Sequence, residues 1–76
     1  MYDYNVASSA GNNCFKQACK KIEESLPELK KNKLLIDVDG SLIQVYVKDG
    51  RKIKVFNDYE VDAVYVESDV EIDCLN

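Results

Sequence analysis

The chain predicts an α+β fold, in which one amphipathic N-terminal helix packs on one face of an antiparallel meander of four or five strands. Three observations lead there. Lys33–Phe56 reads KLLIDVDGSLIQVYVKDGRKIKVF, three Val/Ile/Leu/Tyr-rich runs separated by two Asp-Gly pairs, and Asp-Gly between alternating apolar residues is a strong hairpin signal. Upstream, from Cys14, the apolar residues recur with helical rather than strand period. Downstream, Val61–Val66 and Val70–Leu75 alternate again.

Residues 1–13 form an N-terminal arm. Tyr2-Asp3-Tyr4-Asn5-Val6 alternates and reads either as a short strand or as a tail whose tyrosines pack on the fold. Asn12 or Asn13 is a suitable helix N-cap. At 100° per residue, Phe15, Ala18, Cys19, Ile22, Leu26 and Leu29 fall in one stripe, so residues 14–29 carry the helix. Pro27 disfavours helical geometry at Leu26, which places the end near Ser25 or one turn later.

Residues 33–75 supply the meander. A two-residue turn at Asp39-Gly40 sets Ile36 against Ile43 and Leu34 against Val45. A two-residue turn at Asp49-Gly50 would set Val45 against Lys54. A three-residue loop ending at Gly50 pairs Val45 with Ile53 instead, and is preferred because a one-residue slip reverses every side chain. Ile43, Val45 and Val47 then face the helix, while Leu42, Tyr46 and Phe56 share the second face as a possible interface patch, through which a homodimer would form. A fourth strand and a fifth, ending near Leu75, complete the sheet.

Seventy-six residues make a single small domain, which buries only about 60% of its unfolded surface. There is no His, so the commonest general base and the commonest metal ligand are both missing. No catalytic residue, cofactor or metal site is expected. No apolar run approaches the roughly 20 residues of a membrane span, and the start lacks the basic and apolar regions of a signal peptide. Three cysteines fit a reducing compartment better than a disulfide framework, so a cytoplasmic location is expected. Cys19 lies in the apolar stripe and Cys74 is read as facing inward. Cys14, at the stripe's edge, is the candidate reactive thiol.

Leu34–Ile43, LLIDVDGSLI, resembles the nucleophile motif of haloacid-dehalogenase-type phosphatases, an apolar strand leading into Asp-x-Asp-Gly-Thr/Ser. The resemblance implies Asp37 and Asp39 as nucleophile and proton-handling acid of a Mg²⁺-dependent phosphatase. It covers ten residues, and the 33 that follow read as antiparallel hairpins instead of the parallel sheet that family needs. A turn is the preferred reading of Asp37–Ser41.

Charge is unevenly placed. All ten Lys and Arg lie between Lys16 and Lys54, whereas residues 57–76 carry Asp58, Glu60, Asp62, Glu67, Asp69, Glu71 and Asp73 with no base, a local net of −7. Acids two apart on a strand project on one face about 6.8 Å from each other. With Tyr59 and Tyr65 as aromatic anchors, such a row suits a basic surface on a protein partner, as an inhibitor or adaptor and by imitation of a nucleic-acid backbone. The alternative is that these acids only keep an edge soluble. A net charge of −4 argues against direct nucleic-acid binding through the Lys30–Lys54 bases. The expected function is a non-enzymatic acidic interaction module.

Overall fold

The computed structural model describes residues 1–75. In chain order it contains β1 (Tyr2–Ala7), α1 (Asn12–Ser25), β2 (Lys30–Ile36), β3 (Leu42–Lys48), β4 (Arg51–Asp58) and β5 (Ala63–Ser68), then a short 3-10 turn at Asp73–Leu75. The strands form one antiparallel sheet in the order β1-β5-β4-β3-β2. The α+β class stands, with two corrections. The helix follows a strand instead of opening the fold, and the fifth strand comes from the N-terminal arm, not from Val70–Leu75.

β1 takes the free side of β5, setting Tyr4 against Val66, and so occupies the position a fifth meander strand would need. The chain leaves the sheet at Ser68, whose hydroxyl accepts the Val70 N–H at 3.0 Å in a local turn. Ile72 then folds back into the core, where its N–H donates to the Tyr4 hydroxyl at 2.9 Å. Cys74 is exposed beyond it rather than inward, with its thiol 3.4 Å from the Ser25 hydroxyl.

The helix buries Phe15, Ala18, Cys19 and Ile22, with Leu26 and Leu29 packed at the margin, as the spacing predicts. It stops at Ser25, and Leu26 caps it by donating to the Ile22 carbonyl. Its N-cap is Gly11, not Asn12 or Asn13. The fully buried Asn57 of β4 does the fastening there: its carbonyl oxygen accepts the Gly11 N–H at 2.9 Å and its amide donates to the Asn12 side chain at 3.3 Å. One buried amide thus pins the start of the helix to the middle of the sheet.

The two Asp-Gly turns exchange the types expected of them. Asp49 (φ 51°) and Gly50 (φ 78°) are both left-handed, the signature of a two-residue type I′ turn, so Lys48 pairs with Arg51. At the other turn the Asp37 N–H donates to the Ser41 carbonyl at 2.9 Å and Gly40 sits at φ 87°, giving a three-residue loop, Val38–Gly40. Each difference is one residue, and together they cancel for β2 and β4 but invert β3. Val45 lies opposite Lys54, Tyr46 opposite Ile53 and Gln44 opposite Val55. Gln44 and Tyr46 face the helix, and Ile43, Val45 and Val47 lie on the open face.

The inverted strand is tolerable because each inward polar group has a partner. The Tyr46 hydroxyl donates to Glu23 at 2.5 Å, and Lys31 lies 3.6 Å from the same carboxylate. Gln44 donates its amide to the carbonyls of Asn32 and Lys33 at 3.0 and 3.3 Å, across the bulge that interrupts the β2–β3 ladder between Lys31 and Leu34. Burial, reinforced by the Glu23 carboxylate, holds the Tyr46 phenol well above its ordinary range.

A buried phenol of this kind makes a pH-dependent contribution. The neutral form is favoured in the folded state, so the contribution is whole below about pH 10, where the unfolded tyrosine stays protonated, and is lost as pH rises above it. Tyr46→Phe is expected to lower stability by about 1 kcal/mol at neutral pH and to flatten the alkaline loss of stability. Urea titrations of both proteins at neutral pH and near pH 10.5 measure the difference.

Candidate acidic end of the sheet

Hairpin connections alternate between the two ends of a meander, so the β2–β3 and β4–β5 loops share an end. The first brings Asp37 and Asp39, the second Asp58, Glu60 and Asp62. The loops touch: the Tyr59 N–H donates to the Ser41 hydroxyl at 3.0 Å, and the Tyr59 ring lies over Gly40, where an added Cβ would stand 3.7 Å from it. Between them is a hollow of about 120 Å³ whose lining includes Asp37, Asp39, Asp58 and Glu60 together with Ile43, Phe56 and Tyr65. No Lys or Arg lines it.

Several of these carboxylates also shape their own loops. Asp39 accepts the Ser41 N–H at 2.9 Å, and that backbone bond holds its pKa below the usual range. Asp58 accepts the N–H of Glu60 at 2.9 Å and of Val61 at 3.4 Å, and its second oxygen accepts the Tyr65 hydroxyl at 3.1 Å. Partial burial, then the Asp58 carboxylate, raises the Tyr65 phenol above its ordinary value. Asp62, at φ 55°, accepts the Ala10 N–H at 2.9 Å. Glu60 is exposed and leaves its carboxylate to solvent. The helix N-terminus lies at this same end, and its partial positive charge favours acids nearby.

The remaining acids lie elsewhere. Glu67 and Asp69 are at the opposite end of β5, and Glu71 and Asp73 follow the chain back toward the helix. The first three are interleaved with bases: Glu67 and Asp69 border one hollow with Lys52 and Lys54, the Asp69 carboxylate also accepting the Lys52 backbone N–H at 3.2 Å, and Glu71 borders a hollow shared with Lys48 and Arg51. The sequence suggests one continuous row of seven acids. Because β5 spans the sheet between Asp62 and Glu67, and the chain leaves the sheet after Ser68, the row is broken into separate groups.

The expected patch of Leu42, Tyr46 and Phe56 is divided as well. Tyr46 is fully buried under the helix and Leu42 packs against the core, both on the covered face. Phe56 is on the open face, stacked on Tyr65 with ring centroids 4.6 Å apart. The inversion of β3 places Ile43 beside this pair. Of the thiols, Cys19 is buried, which raises its pKa, Cys14 is half-buried against the core, and Cys74 is the exposed one.

Asp37 and Asp39 sit in a hairpin turn, each accepting a neighbouring backbone N–H. Among the described residues no three Cys, Asp or Glu side chains are arranged to hold a metal ion, and no helix is long and apolar enough to cross a membrane. Asp37 and Asp39 are the members of the acidic end that the charge count leaves out. Counting which loops share an end of the meander finds them. No family model, curated protein or solved structure matches the chain.

Asp58 and Glu60 separate loop-building from surface charge. Asp58→Ala is expected to cost about 1–2 kcal/mol through the lost loop hydrogen bonds, and Glu60→Gln less than about 0.5 kcal/mol. In Asp58→Asn the raised Tyr65 pKa is expected to fall only part of the way toward that of free tyrosine, since burial, the larger cause, remains, as ultraviolet titration of the phenols would register.

Proposed function

We propose that this protein is a non-enzymatic interaction module that docks its acidic end onto a basic surface of a protein partner, as an inhibitor or adaptor. The observation that carries this reading is the hollow whose lining joins four acidic residues to Ile43, Phe56 and Tyr65 and contains no lysine or arginine. An Arg or Lys side chain entering it meets carboxylates and the Phe56–Tyr65 stack, where its aliphatic stem is covered.

Such a surface works in two stages. The unneutralised field steers a basic partner at long range, and this stage weakens with salt. Contact with Tyr59, Tyr65 and Phe56 then supplies the short-range area that charge alone lacks. Of the acids named from sequence, Asp58, Glu60 and Asp62 serve this surface. Glu67, Asp69, Glu71 and Asp73 serve the fold and the mixed-charge opposite end.

The test is a titration with an arginine-rich peptide, followed by backbone amide chemical shifts. Shifts are expected to concentrate at residues 37–43 and 56–65, and affinity to fall steeply between about 50 and 300 mM salt. Asp39→Asn with Glu60→Gln should weaken binding several-fold with the fold intact. Shifts spread over both ends of the sheet, or binding indifferent to salt, would refute the reading.

A further inference from the structure

β2 is an outer strand of the sheet, and the helix does not cover it. Leu34 and Leu35 are each 48% exposed and Ile36 is 69% exposed, an apolar run on an open edge. Edge strands are commonly blunted by lysines and bulges. Here both devices lie in the first half of the strand, at Lys30–Lys33, while Leu34, Leu35 and Ile36 keep regular pairing with β3.

The backbone of this half has a definite outward pattern. The Asp37 N–H points inward to Ser41. Alternation along an antiparallel ladder then turns Leu35 inward, and the N–H and C=O groups of Leu34 and Ile36 outward. These outward groups need a strand that presents the same spacing.

We propose that β2 pairs antiparallel with β2 of a second copy about a twofold axis at Leu35, so that one sheet runs through the dimer. This register alone satisfies three requirements together. It sets the outward backbone of Leu34 against that of Ile36, in both directions. On the helix side, Leu34 meets Ile36 of the second copy, and on the open side the two Leu35 side chains meet. Lys33, which closes the bulge, and Asp37, the first residue beyond the strand, flank the paired segment, so each end of the pairing brings opposite charges together. Moving the axis to Leu34 sets Lys33 against Leu35, and moving it to Ile36 sets Leu35 against Asp37. Either shift places a charge on an apolar group.

The strand is therefore complementary to itself, in charge as well as in backbone, which is what a closed twofold interface requires. The pairing draws on Asp37, one of the four acids of the hollow, and does not involve Asp39, Asp58 or Glu60. It is independent of any basic partner, and its test needs none.

Sedimentation equilibrium from micromolar to near-millimolar protein tests it. The chain should associate to twice its 8.6 kDa mass and no further. Lys33→Glu, which opposes like charges at both ends, is expected to weaken the dimer roughly tenfold. Adding Asp37→Lys to it should restore the affinity. Ile36→Pro removes an outward donor without touching the β2–β3 ladder and should leave a monomer with unchanged circular dichroism. If Ile36→Pro misfolds, the charge exchange decides alone. A monomer at every concentration would overturn the proposal, as would assemblies larger than a dimer or a dimer unmoved by Lys33→Glu.

Discussion

The tight turn at Asp49-Gly50 decides which side of β3 is buried, and most of the molecule follows from it. Two successive residues with positive φ leave room for no bulge, so Lys48 must pair with Arg51 and every residue of β3 takes its face from that pair. The consequence runs against the hydrophobic pattern. Three β-branched residues, Ile43, Val45 and Val47, are left on the open face, and a glutamine and a tyrosine are turned inward. Local backbone geometry overrides side-chain polarity here because the inward groups meet the carboxylate of Glu23 and the carbonyls at the β2 bulge.

That exchange marks the limit of what the sequence tells. The strand-rich meander, the helix with its buried Phe15, Ala18, Cys19 and Ile22, and the inward set of β4 are legible because each rests on a period of 2 or 3.6. The register is not, because Asp-Gly suits both a two-residue turn and the end of a three-residue loop, and only the three-dimensional partners of Gln44 and Tyr46 distinguish them. Tyr2–Ala7 alternates as clearly as any strand, yet its pairing with β5 depends on a contact from the far end of the chain. The exit of the chain after Ser68 is held by hydrogen bonds of the Ser68 hydroxyl with Val70 and of Asp69 with Lys52, which periodicity does not register.

The acidic end has the same origin. Linear counting separates Asp37 and Asp39, within a basic segment, from Asp58, Glu60 and Asp62, within an acidic one. The meander sets these loops side by side, and the helix N-terminus joins them. What looks like a division between two halves of the sequence becomes, in space, a pair of acidic loops at one end and an opposite end of mixed sign. Local sequence shows the charges but not their neighbours.

The Asn57 amide, the Tyr4 hydroxyl and the β1–β5 ladder tie together parts of the polypeptide that are remote along it, 68 residues apart in the case of Ile72 and Tyr4. The three hairpins from β2 to β5 join neighbours, at little entropic expense. β1 has nothing to pair with until β5 has left the ribosome, and Ile72 has no hydroxyl to meet until β1 is seated. Of the strands in this sheet, β1 comes earliest in the sequence and pairs with the latest, so without β1 the outer side of β5 would be an unpaired edge.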